Sequence, residues 1–259
     1  MAQTALITGA SSGIGEAFAR ALAKPGNTLI LVARSKAKLE ALAKKLRADH
    51  GIAVEVIAAD LSQAGCGPRL AAEVAQRGLR VDLLVNNAGF GSAGAFVKEE
   101  PARDAEMINL NVSAVVELAH AFLPAMLERG QGGILNVASV AGFQPTPHMA
   151  IYGATKAFVL SFSESLWAET RGRGVKVTAL CPGPVDTPFF EATGNPELRK
   201  AVPKGMMMDA DRVVAQALAA LEAGRPVVVP GASNKLVTWA PRLLPRRWMT
   251  LASAAVMGR

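Results

Sequence analysis

The sequence predicts an α/β protein with one doubly wound domain, in which a parallel sheet of about seven strands lies between two layers of helices. Short apolar, β-rich runs alternate with longer helical patterns along nearly the whole chain. Each parallel crossover needs a connection of a dozen or more residues, and the helical stretches supply it. No internal repeat or linker divides the chain before residue 231, so one domain is expected.

The elements are assigned from this alternation of apolar runs and helical patterns. Strands are expected at 3–8, 28–33, 53–58, 81–85, 133–138, 175–180 and 226–230, and helices at about 13–24, 36–49, 68–77, 102–128, 152–171 and 209–223. Two segments fall outside the alternation and are expected to be irregular: 183–208, interpreted as a substrate lid, and the tail. The expected division is a catalytic domain over 1–231 and a basic, apolar tail over 232–259.

Composition and charge exclude several classes of protein. Hydrophobic residues make up 51% of the 259 residues and charged residues 19%, which is too apolar for a disordered chain. The net charge of +7 comes almost entirely from the tail, because residues 1–222 hold 22 Lys and Arg against all 21 Asp and Glu. A basic tail on a nearly neutral body predicts a local surface for a lipid, a partner or an acidic ligand. It does not predict a nucleic-acid-binding domain.

Metal binding, secretion and membrane spanning are not expected. The two cysteines, Cys66 and Cys181, lie far apart and form no cluster of metal-ligand spacing. The N-terminal residues lack a basic stretch followed by a long apolar run, and no run approaches the ~18 apolar residues of a spanning helix. A cytoplasmic protein is therefore expected.

A glycine-rich turn follows the first strand and precedes the first helix. Glycines are needed where the backbone turns sharply and where a pyrophosphate approaches main-chain N–H groups at a helix N-terminus. In the first strand-helix unit of an alternating chain, this pattern predicts a dinucleotide site. The turn reads Thr8, Gly9, Ala10, Ser11, Ser12, Gly13, Ile14, Gly15.

This Gly-x3-Gly-x-Gly spacing resembles the first turn of the short-chain dehydrogenase/reductase family, which has a Rossmann fold. After the third strand, Asp60 and Leu61 resemble the family residues that contact the adenine ring. Residues Asn86, Asn87, Ala88 and Gly89 match its Asn-Asn-Ala-Gly signature, which supports the sheet beside the cofactor.

The end of the second strand indicates which dinucleotide is bound. A carboxylate there would hydrogen-bond the adenosine ribose of NAD, whereas an arginine would pair with the extra phosphate of NADP. The strand is followed by Arg34 and by no acid, so NADP(H) is favoured over NAD(H). The family's other frequent basic position, inside the glycine-rich turn, is Ser12 in this chain.

Three residues around the fifth helical pattern are candidates for catalysis. Tyr152 and Lys156 are four apart at the start of a predicted helix, so their side chains emerge on one face. Ser139 precedes the tyrosine by thirteen residues and lies at the C-terminal end of a strand, where open α/β sheets bind ligands. With Asn111 they resemble the family's Asn-Ser-Tyr-Lys tetrad. Asn111 is preferred to Asn109 because of its spacing to a later proline.

The resemblance implies a role for each member of the tetrad. Tyr152 would exchange the proton, with its pKa lowered by Lys156, which would also hold the nicotinamide ribose. Ser139 would donate to the substrate oxygen, and Asn111 would hold a water that connects Lys156 to solvent.

The residues after the sixth strand resemble the family's nicotinamide-binding loop. In relatives the backbone near the position of Val185 and the hydroxyl of Thr187 hold the carboxamide, downstream of the Pro-Gly pair. The corresponding residues are Pro182, Gly183, Val185 and Thr187. Cys181 is interpreted as a buried small residue, and His148 as a loop residue without a special role.

The substrate is expected to be a small-molecule carbonyl or alcohol, and the lid favours an apolar one. Phe189, Phe190 and Met206 to Met208 are typical of an irregular apolar pocket, although packing of the lid against the body would explain them equally well. A non-catalytic, NADP-binding regulatory or redox-sensing protein is the alternative function. The resemblance also implies a homodimer or homotetramer built from the helices at about 102–128 and 152–171.

The tail interleaves apolar and basic side chains and has three interpretations. It could lie on a membrane surface, cover the mouth of the site, or pack in an oligomer. Pro241 and Pro245 disfavour a continuous amphipathic helix, so membrane contact is the weakest of the three. Its apolar residues are Leu236, Val237, Trp239, Leu243, Leu244, Trp248, Met249 and Leu251, and its basic ones Lys235, Arg242, Arg246, Arg247 and Arg259.

Overall fold

A computed structural model gives the fold and describes residues 3–195, 197–202, 205–243 and 245–257. Seven strands alternate with helices as the sequence predicts. In chain order the elements are β1 (Thr4–Thr8), α1 (Gly13–Leu22), β2 (Thr28–Ala33), α2 (Lys36–His50), β3 (Ala53–Ala58), α3 (Cys66–Gln76), β4 (Leu83–Asn86), α4 (Pro101–Ile108), α5 (Ala114–Arg129), β5 (Gly132–Val137), α6 (Ala150–Thr170), β6 (Val175–Leu180), α7 (Phe189–Ala192), α8 (Leu198–Ala201), α9 (Ala210–Glu222), β7 (Val227–Val228), α10 (Ala232–Leu243) and α11 (Arg246–Met257). Short 3-10 turns lie at Phe96–Lys98 and Val140–Phe143.

The strands form one parallel sheet in the order β3-β2-β1-β4-β5-β6-β7. Helices cover both faces. Phe18 of α1, Leu39 of α2 and Val213 of α9 belong to the core on one face, while Leu70 of α3 and Leu118 of α5 belong to the core on the other. Because both faces are covered, the central strands are largely apolar and bury most of their side chains. The predicted single-domain, doubly wound, three-layer fold is confirmed.

The expected helix at 102–128 is divided by a π-helical turn. The helix α4 ends at Ile108, a π-helix spans Asn109–Ser113, and α5 continues from Ala114. A π-turn inserts one residue into the helical repeat and is common at functional sites. Apolar periodicity persists through such an insertion, so the pattern alone predicted one continuous helix.

The segments expected to be irregular are partly helical. The lid holds α7 and α8, and the tail holds α10 and α11, with Pro241 inside the last turn of α10 and Pro245 directly before α11. A proline disrupts a helix chiefly by the hydrogen bond it removes, so one near a helix end is tolerated. The seventh strand shrinks from the expected 226–230 to two residues. Of the tail residues singled out above, Leu244 and Arg259 lie outside the described residues, as do the side chains of Arg242 and Leu243.

The longest helical segment is a candidate for spanning a membrane by length and composition, although none was expected from the sequence. Across its π-turn, Pro101–Arg129 is long and apolar enough to cross a membrane, the one such segment among the described ranges. Helices buried in a protein core meet the same criteria. Leu118, Phe122 and Met126 of this segment are buried in the core beneath the sheet.

Candidate active site

The site lies at the carboxyl edge of the sheet, where the strand order reverses between β1 and β4. The hydroxyl of Thr8 at the end of β1 accepts hydrogen bonds from the backbone N–H groups of Asn87 and Ala88, both at 2.9 Å, and donates to the carbonyl of Val85 at 3.2 Å. The Asn87 amide donates to the Thr8 carbonyl at 2.8 Å. These bonds fix the glycine-rich turn against the Asn-Asn-Ala-Gly segment at the point where such sheets bind ligands.

The glycine-rich turn presents unpaired donors to this edge. Gly9 and Gly13 adopt φ values of 65° and 58°, and α1 begins at Gly13 without a side-chain cap from Ser12. The first N–H groups of an uncapped helix attract anions, so the turn fits a pyrophosphate. Gly15, also predicted to bind cofactor, instead packs inside the protein, because a Cβ there would overlap the Gly9 carbonyl and the Asn87 amide.

A single cavity of about 720 Å³ runs from this turn to the predicted catalytic residues. It brings together all the predicted site residues except Gly15 and Asn111, which do not line it. The predicted residues that line it are Gly9, Ser11, Ser12, Gly13, Ile14, Arg34, Asp60, Leu61, Asn87, Ala88, Gly89, Ser139, Tyr152, Lys156, Pro182, Gly183, Val185 and Thr187. Its volume is typical of a small-molecule site.

A basic corner closes one end of the cavity. Arg34 there pairs with Glu106 of α4 at 2.9 Å and keeps 65% of its side chain exposed. Although burial opposes it, hydrogen bonds from Ser62, with a smaller contribution from Arg34, hold the pKa of the Asp60 carboxyl below its usual value. Lys38 also lines this corner and was missed in the sequence. It lies in the first turn of α2, directly after the segment that holds Arg34, and this closeness in sequence was the available signal.

Tyr152 and Ser139 meet in the middle of the cavity. The tyrosine is 9% exposed, and burial raises the pKa of its phenol to about 12, while the neighbouring Ser139 hydroxyl acts to lower it. The Ser139 oxygen accepts from the Ala141 N–H at 3.1 Å, which leaves its own proton available to a ligand. Both groups therefore offer protons to the cavity at neutral pH.

Lys156 lies one helical turn beyond Tyr152, as predicted, and is buried. Its ammonium donates to the Val137 carbonyl at 2.8 Å and lies 5.8 Å from the centre of the tyrosine ring. Burial lowers the pKa of this ammonium to about 8, partly offset by Cys181. Cys181 is fully buried, which agrees with its interpretation as a packing residue.

Asn111 lies in the π-turn and holds the backbone of Phe90. Its amide oxygen accepts from the Phe90 N–H at 3.1 Å, and its nitrogen donates to the Phe90 carbonyl at 2.9 Å and to the Thr155 hydroxyl at 3.1 Å. Asn111 is 1% exposed whereas Asn109 is exposed, which agrees with the choice between the two.

The other end of the cavity is apolar. Its lining residues include Phe90, Met149, Phe189, Phe190 and Leu198, and the rings of Tyr152 and Phe189 lie 5.4 Å apart. Phe189 and Phe190 were predicted from the sequence as pocket residues. Three others were not predicted: Phe90, Met149 and Leu198. Alternation of strands and helices does not show which loop residues turn toward one another.

The methionines expected in this pocket do not line it. Met208 instead forms a bridge with Val185 and packs on the core of the α1 face, while Met206 and Met207 are also absent from the lining. His148 lines a separate small cavity rather than the main one. Among the described residues, no group of three or more His, Cys, Asp or Glu side chains is placed to hold a metal ion.

Comparison with known proteins identifies the family. Residues 3–197 match the family described as short chain dehydrogenase. The very-long-chain 3-oxoacyl-CoA reductase of Anas platyrhynchos is 38% identical over 205 residues, which cover 77% of this chain and 65% of that protein. The chain therefore spans about two thirds of that relative.

Solved structures share the fold along nearly the whole chain. A short-chain dehydrogenase from Sphingobium yanoikuyae in complex with NADPH is 36% identical, with a TM-score of 0.82 over 98% of this chain and 93% of that one. The bulky-bulky ketone specific alcohol dehydrogenase of Comamonas testosteroni is 34% identical, with a TM-score of 0.78 over 98% and 92%. A Burkholderia phymatum relative in complex with NAD is 29% identical, with a TM-score of 0.82 over 92% of each chain.

The geometry and the comparisons agree on one class of protein. A glycine-rich anion site and a buried Ser-Tyr-Lys group share one cavity, on the fold and sequence of enzymes that oxidise alcohols and reduce carbonyls. The chain belongs to the short-chain dehydrogenase/reductase family and is a nicotinamide-dependent oxidoreductase acting on CH–OH and C=O groups.

Proposed function

We propose that this enzyme uses NADP(H) and acts on an apolar carbonyl compound or secondary alcohol, with Tyr152 as the acid/base. One observation carries the proposal: Tyr152 lies in a single cavity between the anion-binding turn and the apolar wall of Phe90, Met149 and Phe189. A reactive carbon placed at the tyrosine would have a dinucleotide on one side and an apolar pocket on the other.

The preference for NADP(H) is supported by the basic corner. Arg34 and Lys38 both line the cavity where β2 ends, and no carboxylate follows that strand to accept from a ribose hydroxyl. The Sphingobium yanoikuyae relative was solved with NADPH and the Burkholderia phymatum relative with NAD, so family membership does not choose between them. Arg34 and Lys38 would hold the additional phosphate.

Tyr152 would supply the proton in the reducing direction. The bound nicotinamide supplies or accepts the hydride. With its pKa raised to about 12 by burial, the phenol holds its proton at neutral pH and can give it to the oxygen of a carbonyl that becomes an alkoxide. Ser139 would donate a second hydrogen bond to the same oxygen as negative charge develops there.

Lys156 would assist the reverse direction, in which Tyr152 must accept a proton. A cation near the phenol favours the phenolate and lowers the pKa. In the present arrangement burial dominates, because the ammonium is bound to Val137 and lies 5.8 Å from the ring centre. Lys156 would therefore tune Tyr152 once it turns toward the ribose that it is predicted to hold.

Asn111 would act as a positioning residue. Its side chain uses its donors and acceptor on the Phe90 backbone and on Thr155, so it shapes the wall opposite Tyr152. The water that the family resemblance assigns to Asn111 stays a prediction.

We also propose a homo-oligomer formed through the long helices, as the family resemblance implies. Phe158 on the outer side of α6 is 42% exposed and stacks on Phe162 with ring centres 5.8 Å apart. An exposed aromatic pair on a long helix is suited to pack on a second copy. Light scattering of the purified protein should give the mass of a dimer or tetramer, and a monomer would contradict this.

The function is tested by the change in nicotinamide absorbance with NADPH and NADH separately, against ketones and aldehydes from small and polar to large and apolar. We expect turnover with NADPH to exceed that with NADH and to be greatest for large apolar ketones. Arg34→Ala should lower kcat/KM for NADPH by about tenfold or more, the value of one charge-assisted pair, and leave NADH nearly unchanged. Preference for NADH, or for small polar sugars, would contradict the proposal.

A further inference from the structure

Exposed apolar side chains are concentrated on the two tail helices. Four of the eight large hydrophobic residues exposed in the described chain lie there, although the tail is about a tenth of its length. They are Leu236 (74% exposed) and Trp239 (59%) on α10, and Trp248 (66%) and Leu251 (55%) on α11. Tryptophan is costly to leave in water, so this clustering points to a surface that is covered in use.

Each tail helix buries uncharged polar residues and leaves large apolar ones exposed. On α10, Asn234 and Thr238 are buried while Leu236 and Trp239 face solvent. Each exposed pair is three residues apart, so its members lie on one face of their helix. The helix therefore packs on the protein through a polar side and leaves an apolar one free.

The second tail helix repeats this arrangement. On α11, Ser253 is buried, and Trp248 and Leu251 face outward. Pro245 separates α11 from α10 but does not interrupt either exposed pair. The prolines that disfavoured a membrane surface from the sequence therefore divide the tail into two amphipathic helices rather than prevent helix formation.

The charges beside these pairs are all positive. Lys235 precedes the apolar pair of α10, and Arg246 and Arg247 precede that of α11; all three are exposed. The chain has no Asp or Glu after Glu222. Basic residues beside outward tryptophan and leucine are the pattern of a helix that lies in the interface of an anionic bilayer.

Two other roles for the tail, covering the mouth of the active site and packing between copies of this chain, are less compatible with the structure. No tail residue among those described lines the active-site cavity, so the described part of the tail does not cover its mouth. Contact between two copies of the tail across a two-fold axis would oppose the same basic residues, with no Asp or Glu in either tail to neutralise them.

We propose that α10 and α11 form a docking surface for a lipid bilayer that carries anionic headgroups. Trp239, Trp248 and the two leucines enter the interface, and Lys235, Arg246 and Arg247 contact the headgroups. The enzyme would thereby work at the surface where apolar substrates are dissolved. The surface is separate from the active site, so its test does not depend on the proposed substrate or cofactor.

Flotation of the full-length protein with vesicles tests this proposal. One set contains phosphatidylcholine alone, and the other contains phosphatidylcholine with phosphatidylglycerol, each at low and high salt. We expect binding to the anionic vesicles at low salt, weakened by salt, and little binding to the neutral set. Tail tryptophan fluorescence should shift to the blue on binding, because Trp239 and Trp248 enter a less polar environment. The remaining tryptophan, Trp167, is held within the body by a hydrogen bond to Gly224.

Two tail variants and two matched controls separate the apolar and charge contributions. Trp239→Ser with Trp248→Ser, and separately Arg246→Gln with Arg247→Gln, should each reduce binding by about tenfold or more. Phe96→Ser removes an exposed aromatic elsewhere, and Lys44→Gln with Lys45→Gln removes two exposed charges from α2, so both should bind as the wild type does. Circular dichroism and NADPH turnover should stay unchanged in all four.

Three results would overturn the proposal. These are no binding to anionic vesicles at low salt, equal binding to neutral and anionic vesicles, or tail variants that bind as tightly as the wild type. If the tail variants instead lower the mass measured by light scattering, the surface is an interface between copies of this chain.

Discussion

Lys156 is a buried cation whose ammonium has a carbonyl, rather than a carboxylate, as its hydrogen-bond partner. Burial lowers its pKa to about 8 in the folded protein, against 10.5 for an unfolded lysine. The unfolded chain therefore binds the proton more tightly, and the stability that depends on this group is fully present above pH 10.5 and lost as the pH falls through 8. A buried cation here reduces stability at neutral pH.

We predict that the free energy of unfolding of the wild type rises relative to Lys156→Met between pH 7.5 and 9.5. The expected gain is about 1–2 kcal/mol, because the wild type loses a proton on folding in this range and the variant does not. Urea denaturation at several pH values measures it. Tyr152 acts in the opposite direction only above pH 10, since its pKa is raised. Parallel pH profiles for the two proteins would contradict the prediction.

Glu106 competes for the arginine that is proposed to bind the additional phosphate of NADP. Its ion pair with Arg34 is exposed, and such pairs contribute about 0–1 kcal/mol. We predict that Glu106→Gln lowers the Kd for NADPH by up to about fivefold and leaves that for NADH within about twofold.

Fluorescence titration of the nicotinamide measures both constants. The control is Glu55→Gln, which removes an equal charge from an exposed pair with Arg77 away from the cavity. Equal changes for NADPH and NADH, or the same change in the control, would show that Glu106 does not restrain Arg34.

The π-turn between α4 and α5 is the element that places Asn111 against Phe90. Removing the Asn111 amide would leave the N–H and carbonyl of Phe90 without their partners in a mostly buried site. We predict that Asn111→Ala lowers the free energy of unfolding by about 1–3 kcal/mol, the cost of such unpaired groups. Asn109→Ala, an exposed change in the same turn, should cost less than about 0.5 kcal/mol.

Urea denaturation compares the two variants, and the KM of an apolar ketone provides a second measurement. Asn111→Ala should raise that KM, because Phe90 lines the pocket. Similar small losses of stability in both variants would show that the π-turn has no specific anchoring role.

Helix α10 is joined to the loop that follows β6 by a close contact at Gly183. A Cβ at this position would overlap the side chain of Asn234, which is 1% exposed and donates to the Pro230 carbonyl at 2.9 Å. The contact couples the start of the tail to the segment after β6. The sequence does not predict this contact, because its two residues lie 51 positions apart.

We predict that Gly183→Ala destabilises the protein by about 1–3 kcal/mol through overpacking, and that Asn234→Ala relieves part of that cost. A double-mutant cycle of unfolding free energies measures the coupling, because the two changes share one contact. Weaker NADPH binding by Gly183→Ala, restored in the double variant, would locate the effect in the loop. Additive effects would contradict the contact.

At the scale of the whole molecule, much of the fold was predictable because local signals decide it. All seven strands lie within about two residues of their predicted ranges, since apolar runs bounded by turn residues mark buried parallel strands. The order of the strands and the π-turn were not predictable, because they depend on packing between distant segments. The helices of the lid were missed because they are only four residues long, and those of the tail because Pro241 and Pro245 indicated a break in any helix.

The features of the site also divide into those that local spacing predicts and those that depend on distant segments. Motif spacing placed Tyr152, Lys156 and Ser139 in one cavity with the glycine-rich turn. The pairing of Arg34 with Glu106 joins residues 72 apart, and spacing carries no information about it. We propose that the catalytic domain ends at residue 231 and that Asn234 anchors the tail to it.

We propose that one cavity holds the dinucleotide and the proton donor together, with Tyr152 as that donor. The most direct measurement compares Tyr152→Phe with the wild type for NADPH binding and for ketone turnover. We predict that the Kd for NADPH stays within about twofold while turnover falls by about 10²- to 10⁴-fold, the usual contribution of a general acid. Full turnover by Tyr152→Phe would show that Tyr152 is not the proton donor.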